Sequence, residues 1–354
     1  VLLRVSVVPV FLIFILMKRI SIRDLAKKAG VSTSTVSFIL NGKAEKMRIS
    51  KELTAKVKDI SKKMGYVPNQ VAVSLRTGQS KQIGLIVESI SGHFFGLLAR
   101  IIETEAEKYG YRIIYCSTEN KAQQGLDILK MLSQQQVDGY MITPAKGMEE
   151  EIRRLAERKK PVVLIDGFFE GDTIPYVIVD NYKGVEMGMK HLFAKGYKDI
   201  GFVTVDLDLV QIAERKAAFT DALKNNKIRK IGERILTVSY HSPAENIMQQ
   251  IKDFITGRPK MDAIFFSTNY LGVLGVEIIA KMGLALPGDL AMICFDDQDV
   301  FRLFGPGITV IKQPVDEIAR KAIDLLLHQL EKKKSPGRLQ QVKLQPVLVE
   351  RGST

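Results

Sequence analysis

Several polar residues stand just past short apolar runs of the β-strand kind. Asp166 follows VVLI, Asp180–Asn181 follow VIV, Asn269 follows AIFFST and Asp296–Asp297 follow AMICF. Phe94 and Phe95 lie a few residues beyond the first such run, Ile83–Val87. When strands alternate with helices, ligand groups gather beyond the carboxyl ends of the strands. Carboxylates and an amide can there grip hydroxyls, while aromatic faces cover a sugar ring. Any one of these polar residues could equally cap the helix that follows it. Carboxylates could also move protons, but nothing in the sequence pairs them. There is no GxxxxGK loop, no GxSxG elbow, no HExxH and no CxxC, so enzyme signatures are thin. The four histidines are scattered without metal-ligand spacing, and neither a metal nor another cofactor is expected.

A different chemistry is written in Ser21–Gly42, SIRDLAKKAGVSTSTVSFILNG. Ser21, with Asp24 three residues on, can cap one short helix. Ser32 can cap a second, and Asn41–Gly42 can stop it. Gly30 sits where the chain must turn sharply. Leu25, Ala26 and Ala29 form an apolar stripe on the first helix. Val36, Ile39 and Leu40 share one face of the second, and Thr33, Ser34, Ser37 and Phe38 the other. A helix pair that turns short side chains outward has the layout of a helix-turn-helix reading head.

Charge and length set the frame around these two sites. At 354 residues the chain exceeds one typical domain. Its net charge is +13, but Lys18–Lys81 holds fifteen Lys/Arg against four Asp/Glu, and residues 82–354 carry only about +1. A compact basic head favours a polyanion, and the helix pair makes that polyanion DNA rather than a membrane surface. Cys116 and Cys294 sit in apolar runs and read as reduced packing residues of a cytoplasmic protein. Residues 1–17, VLLRVSVVPVFLIFILM, are apolar but short of the roughly 20 residues of a spanning helix. They read first as an extension upstream of a true start at Met17; a membrane anchor and a cleaved export signal are the alternatives.

Beyond the head, a basic loop Lys43–Ile49 leads to a helix from Lys51 to Met64, capped by Ser50, with Leu53, Val57, Ile60 and Met64 on its inner stripe. Lys51, Lys58 and Lys62 on its outer face are either phosphate contacts or solubilising charges. Gln70–Arg76 is a short helical candidate, marginal on its own. From Ile83 the chain alternates strand and helix, the pattern of a doubly wound α/β domain. A helix over Pro314–Glu331, a solvated loop and a closing strand pair in Leu339–Glu350 end the chain.

With these residues in hand, the chain resembles the lactose/galactose-repressor family of bacterial transcription regulators. The segment IRDLAKKAGVSTSTVSFILNG carries the resemblance, with GYVPNQVAVSLRTGQSKQIGLIV, VIVDNYKG, HLFAKGYKDIGFV, STNYLGVLGVEIIAKMGLALPGDLAMICFDD and ITVIKQPVDEIARKA in family order. It implies a DNA-binding head over 18–67, a hinge helix and linker over 68–81, and a two-lobed periplasmic-binding-protein-like α/β domain over 82–354. The first lobe would take 82–179 and 312–354, the second 180–311, with crossings near Asp180, Asp297–Phe301 and Lys312. It implies a homodimer on a near-palindromic double-stranded operator, no membrane, and a small-molecule effector, a sugar or sugar phosphate.

Carried over by position, the DNA contacts are Ser21, Ser32, Thr33, Ser34, Ser37, Phe38, Asn41, Tyr66, Asn69, Ala72, Leu75 and Arg76. Leu75 lies at the family's minor-groove wedge position. The effector contacts are Phe94, Phe95, Asp166, Arg215, Tyr240, Asn269 and Asp296. Arg215 is expected to open a helix after an irregular stretch, Asp206–Glu214. Leu209 stands where purine-sensing members place an arginine, and Tyr270 replaces the aspartate that commonly follows Asn269, which points away from a purine. The leading expectation is a ligand-responsive repressor of carbohydrate genes. An exported or membrane-anchored sugar-binding protein is the alternative, and an α/β enzyme acting on a small polar metabolite is the third reading.

Overall fold

The structure, a computed structural model, describes residues 20–68, 70–331 and 340–354. The expectations for residues 1–17, for Asn69 and for the loop after Glu331 lie outside them. Among the described residues no helix is long and apolar enough to cross a membrane. The chain divides into two units, 1–80 and 81–354.

The first unit holds α1 (Ile22–Ala29), α2 (Thr33–Leu40), α3 (Lys51–Lys63) and α4 (Gln70–Thr77). Local chemistry sets their ends. Ser21 and Asp24 form a reciprocal capping box, Gly30 turns the chain at φ 71°, and the Ser32 and Ser50 hydroxyls accept from the Thr35 and Leu53 amides. The apolar stripes then meet: Leu25, Ala26, Ala29, Val36, Ile39 and Val57 are buried together.

The second unit contains two six-stranded sheets. β1 (Gln82–Val87), β2 (Arg112–Ser117), β3 (Gly139–Ile142), β4 (Val162–Ile165) and β5 (Tyr176–Val179) belong to the first. β6 (Ile200–Val205), β7 (Ile235–Val238), β8 (Ala263–Phe266), β9 (Ala291–Phe295) and β10 (Thr309–Lys312) belong to the second. β11 (Gln341–Leu344) returns to the first sheet and β12 (Val347–Val349) to the second. The orders are β11-β5-β4-β3-β1-β2 and β12-β10-β9-β8-β6-β7, so one lobe repeats the other. Every pairing is parallel except β12 on β10. Apart from the half-buried Gln82 that opens β1, these central strands are buried along their length because helices cover both faces.

Three expectations change here. The chain crosses between lobes at Asp180, at Gln313–Pro314 and at Gln345–Pro346, not near Asp297–Phe301. Phe301 is instead fully buried in the second lobe with Cys294 and Val310. The two last strands do not pair with each other. Pro346 separates them, and they join different sheets. Residues after Pro346 therefore belong to the second lobe, where the buried Ser353 hydroxyl donates to the Met292 carbonyl (2.6 Å) and accepts from the Thr309 amide (2.8 Å).

Helix α11 (Asn269–Lys281) lies close on this sheet through glycine. A Cβ on Gly275 would sit 2.2 Å from the Phe266 ring. Gly275→Ala should therefore destabilise the second unit by about 1–3 kcal/mol, the usual cost of overpacking. A urea-unfolding midpoint equal to wild type would contradict this close approach.

Candidate functional site

In the first unit, Thr33 and Ser34 are exposed on α2, and Ser37 and Phe38 are half-buried. Phe38 stands outside the apolar cluster of the head, whereas the half-buried Tyr66 packs against it. Ser21 and Ser32 use their hydroxyls in caps. The Asn41 side-chain amide donates to the Ser37 carbonyl at 2.6 Å and accepts from Arg76 at 3.3 Å, which ties α4 to the end of α2. Ala72 is exposed, and Leu75 is 75% exposed, a large apolar side chain with little of its own unit around it.

In the second unit, strand ends from both sheets converge on one cavity of about 490 Å³. That lies within the roughly 300–1,000 Å³ of small-molecule sites. Phe94, Phe95, Asp166, Arg215, Tyr240, Asn269 and Asp296 all line it. Phe94 and Phe95 belong to the first turn of α5 (His93–Glu107), edge to face with ring centres 5.0 Å apart. Asp166 and Asp296 end β4 and β9, equivalent strands of the two sheets. Both take left-handed backbone, φ 63° and 73°, just after their amides complete the sheet ladder. Such conformations persist only where the surroundings hold them, and they concentrate at functional sites.

Arg215 is buried, and it does not open its helix. α9 spans Val210–Asn225, so the irregular stretch is only 206–209 and Arg215 sits in the second turn. Its Nε donates to Asn181 Oδ1 (2.9 Å) and its Nη1 to the Ser267 carbonyl (2.7 Å). Its guanidinium lies 3.6 Å from the centre of the Phe295 ring. Asp296 accepts from Gln313 Nε2 at 2.6 Å. The two charges attract each other, but each has its own hydrogen-bond partners.

Burial decides the electrostatics. It pushes Asp166 up to about 7, against the pull of Arg215, and Asp296 and Glu88 push the same way as burial. Burial also raises Asp296 and Glu88, with Arg215 and the Tyr240 hydroxyl respectively opposing it. Sequence reasoning missed Glu88, Thr268 and Gln313, which also line the cavity, as does Tyr270. Glu88 follows β1 directly, so the strand-end rule that picked out Asp166 and Asp296 would have found it. Thr268 Oγ1, the Tyr270 hydroxyl and Gln313 Oε1 are buried with no hydrogen-bond partner. In native proteins such atoms are few, and inside a cavity they are left to bond whatever enters it, water included.

Residues 21–69 match the bacterial regulatory proteins of the lacI family, and residues 189–354 match the periplasmic binding protein-like domain. The head is thus a lacI-family helix-turn-helix domain, joined to a periplasmic-binding-protein-like domain, and the relatives are lacI-type regulators. Among its lacI-type relatives, the ribose operon repressor of Halalkalibacterium halodurans is 29% identical over 88% of this chain and 91% of that protein. The HTH-type transcriptional regulator KdgR of Bacillus subtilis is 28% identical over 94% of this chain and 97% of its own. The HTH-type transcriptional repressor PurR of Edwardsiella ictaluri is 28% identical over 94% and 96%. The fold is that of the Lac repressor dimer bound to operator and the anti-inducer ONPF, with a TM-score of 0.82 at 23% identity over 95% of this chain and 99% of that one. These relatives are transcriptional regulators and not enzymes, and the exported-protein alternative is not favoured.

The raised Asp166 gives a pH test. Its protonated form suits the fold, so its contribution to stability is full below about pH 4 and is lost as the pH rises through about 7. Asp166→Asn is neutral at every pH. The variant should match wild type near about pH 4 and melt higher at about pH 8, read by thermal unfolding. An equal or lower melting point at the higher pH would mean that Asp166 is ionised without penalty.

Proposed function

We propose that this chain is a cytoplasmic, effector-responsive repressor of carbohydrate-utilisation genes that grips a near-palindromic operator as a homodimer. The observation that carries the reading is the cavity. Seven positions chosen for effector contact line a single space with unpaired hydroxyl and carbonyl groups. The basic charge, by contrast, is concentrated in the helix-turn-helix head. Relatives that include a ribose operon repressor support a sugar, as does a fold shared with the CelR–cellobiose complex (TM-score 0.68, 20% identity). In this reading Thr33, Ser34, Ser37 and Phe38 face the major groove, and Leu75 is the minor-groove wedge.

Selecting bound fragments from the source genome tests the core of it. Enriched near-palindromic sites beside sugar-uptake or sugar-metabolism genes are expected; binding without sequence preference would sink it. Asp296→Asn keeps an acceptor for Gln313 and should fold and bind DNA normally. A charged hydrogen bond contributes about 1.5–3 kcal/mol, so the variant should lose roughly one to two decades of effector affinity. A normal effector titration would remove Asp296 from the site. Arg215→Ala is a poorer probe, because it strips partners from buried Asn181 and the Ser267 carbonyl.

Leu75→Ala should reduce operator bending while phosphate contacts persist. An unchanged bend in a gel-phasing assay would rule out the wedge.

A further inference from the structure

Helix α4 is short and has little apolar packing to rest on. Among the described residues none of its side chains belongs to the apolar cluster of the head, and Ala72, Leu75 and Arg76 are exposed. Its last turn is nonetheless well finished. Gly78 takes φ 69° and its amide donates to the Ser74 carbonyl at 2.7 Å, while the Thr77 hydroxyl donates to the Val73 carbonyl at 2.9 Å. That turn carries Leu75 and Arg76 side by side.

Arg76 reaches across 35 residues of sequence to the end of α2. Its Nη2 donates to Asn41 Oδ1 (3.3 Å), and Asn41 Nδ2 donates to the Ser37 carbonyl (2.6 Å) and to the Ser37 hydroxyl oxygen (3.3 Å). The carboxyl end of a helix favours a cation. α1 and α3 supply their own, Lys27 with Lys28 and Lys62 with Lys63, but α2 has no basic residue in its last turn. The guanidinium of Arg76 takes that place from another helix. Leu75, Arg76, Asn41 and Ser37 thus form one linkage from the exposed apolar side chain of α4 to the outward face of α2.

We propose that Arg76 is a positioning residue. By holding Asn41 it fixes the wedge relative to the reading helix, and so sets the length of DNA between the bases read by α2 and the step opened by Leu75. This rests on the reading of α2 and Leu75 as DNA contacts. It assigns Arg76 to the head, in place of the DNA contact expected from its position. One base pair is about 3.4 Å of rise and about 35° of rotation. A wedge held in one register therefore discriminates against an operator that is one pair longer or shorter.

The test titrates the full-length protein against an operator enriched from genomic DNA, and against versions with one base pair added to or removed from each side of its centre. Wild type should prefer the native spacing about a hundredfold. Arg76→Met keeps a long, helix-favouring side chain but has no donor. It should cut that preference about tenfold, chiefly by weaker binding at the native spacing. Arg76→Lys can still donate and should keep most of the preference. Asn41→Ala should lose as much as Arg76→Met, and the double variant no more than either, because each removes the same linkage. An unchanged spacing preference in Arg76→Met overturns the proposal, and so do additive losses in the double variant. A uniform loss at every spacing, with the salt slope of binding lower by about one, would make Arg76 a phosphate contact instead. If Asn41→Ala unfolds the head, the Arg76 series decides alone. Failure of the wild type to enrich any operator would defeat the reading of the head, and this proposal with it.

Discussion

A guanidinium taken out of water governs the second unit. Among the described residues, Arg215 and Asp296 are the charged side chains that are buried. An isolated buried charge costs far more than a small domain's whole stability, so it must be surrounded. Asn181, the Ser267 carbonyl and the Phe295 face do this within the second lobe. Three elements are thereby fixed at the cavity floor: the start of α8 (Asn181–Ala194), the end of β8 and the end of β9. Asp166 reaches the same charge from the first lobe, and Gln211 of α9 bonds it at a long 3.4 Å. The floor of the cavity is thus rigid on one side and held to the other side chiefly by electrostatics.

The lobes repeat one topology, and the repetition explains the chemistry. In each sheet the strand order reverses beside the first strand of the lobe, which opens a crevice at the strand ends. Two crevices face each other. Asp166 and Asp296 occupy matched places with the same backbone twist, so their carboxylates arrive from opposite sides. A duplicated architecture therefore turns one strand-end acid into a facing pair.

The head was legible because its ends are local. Ser21, Ser32 and Ser50 each satisfy an amide three residues on, and a reader of sequence needs nothing farther away. The buried central strands were legible for a related reason: helices on both faces demand unbroken apolar runs. Edge strands carry less signal. β7 is mostly half-exposed and escaped as a strand. The parting of β11 and β12 was hidden altogether, because Gln341–Val349 looks like a hairpin until the sheets it serves are known. Site positions at strand ends were readable by rule. The orphaned atoms of Thr268, Tyr270 and Gln313 were not, since the lack of a partner is a property of neighbours far away in sequence.

The backbone passes between the lobes three times, at Asp180, Gln313–Pro314 and Gln345–Pro346. A single tether would let one lobe swivel freely, and two would still permit a rocking skew. Three side by side behave like the knuckles of a butt hinge: rotation about their common line stays soft, while torsion and sliding become stiff. Opening and closing about that line is therefore the motion that the three crossings permit. The aperture between the lobes is thus the coordinate that this fold leaves soft.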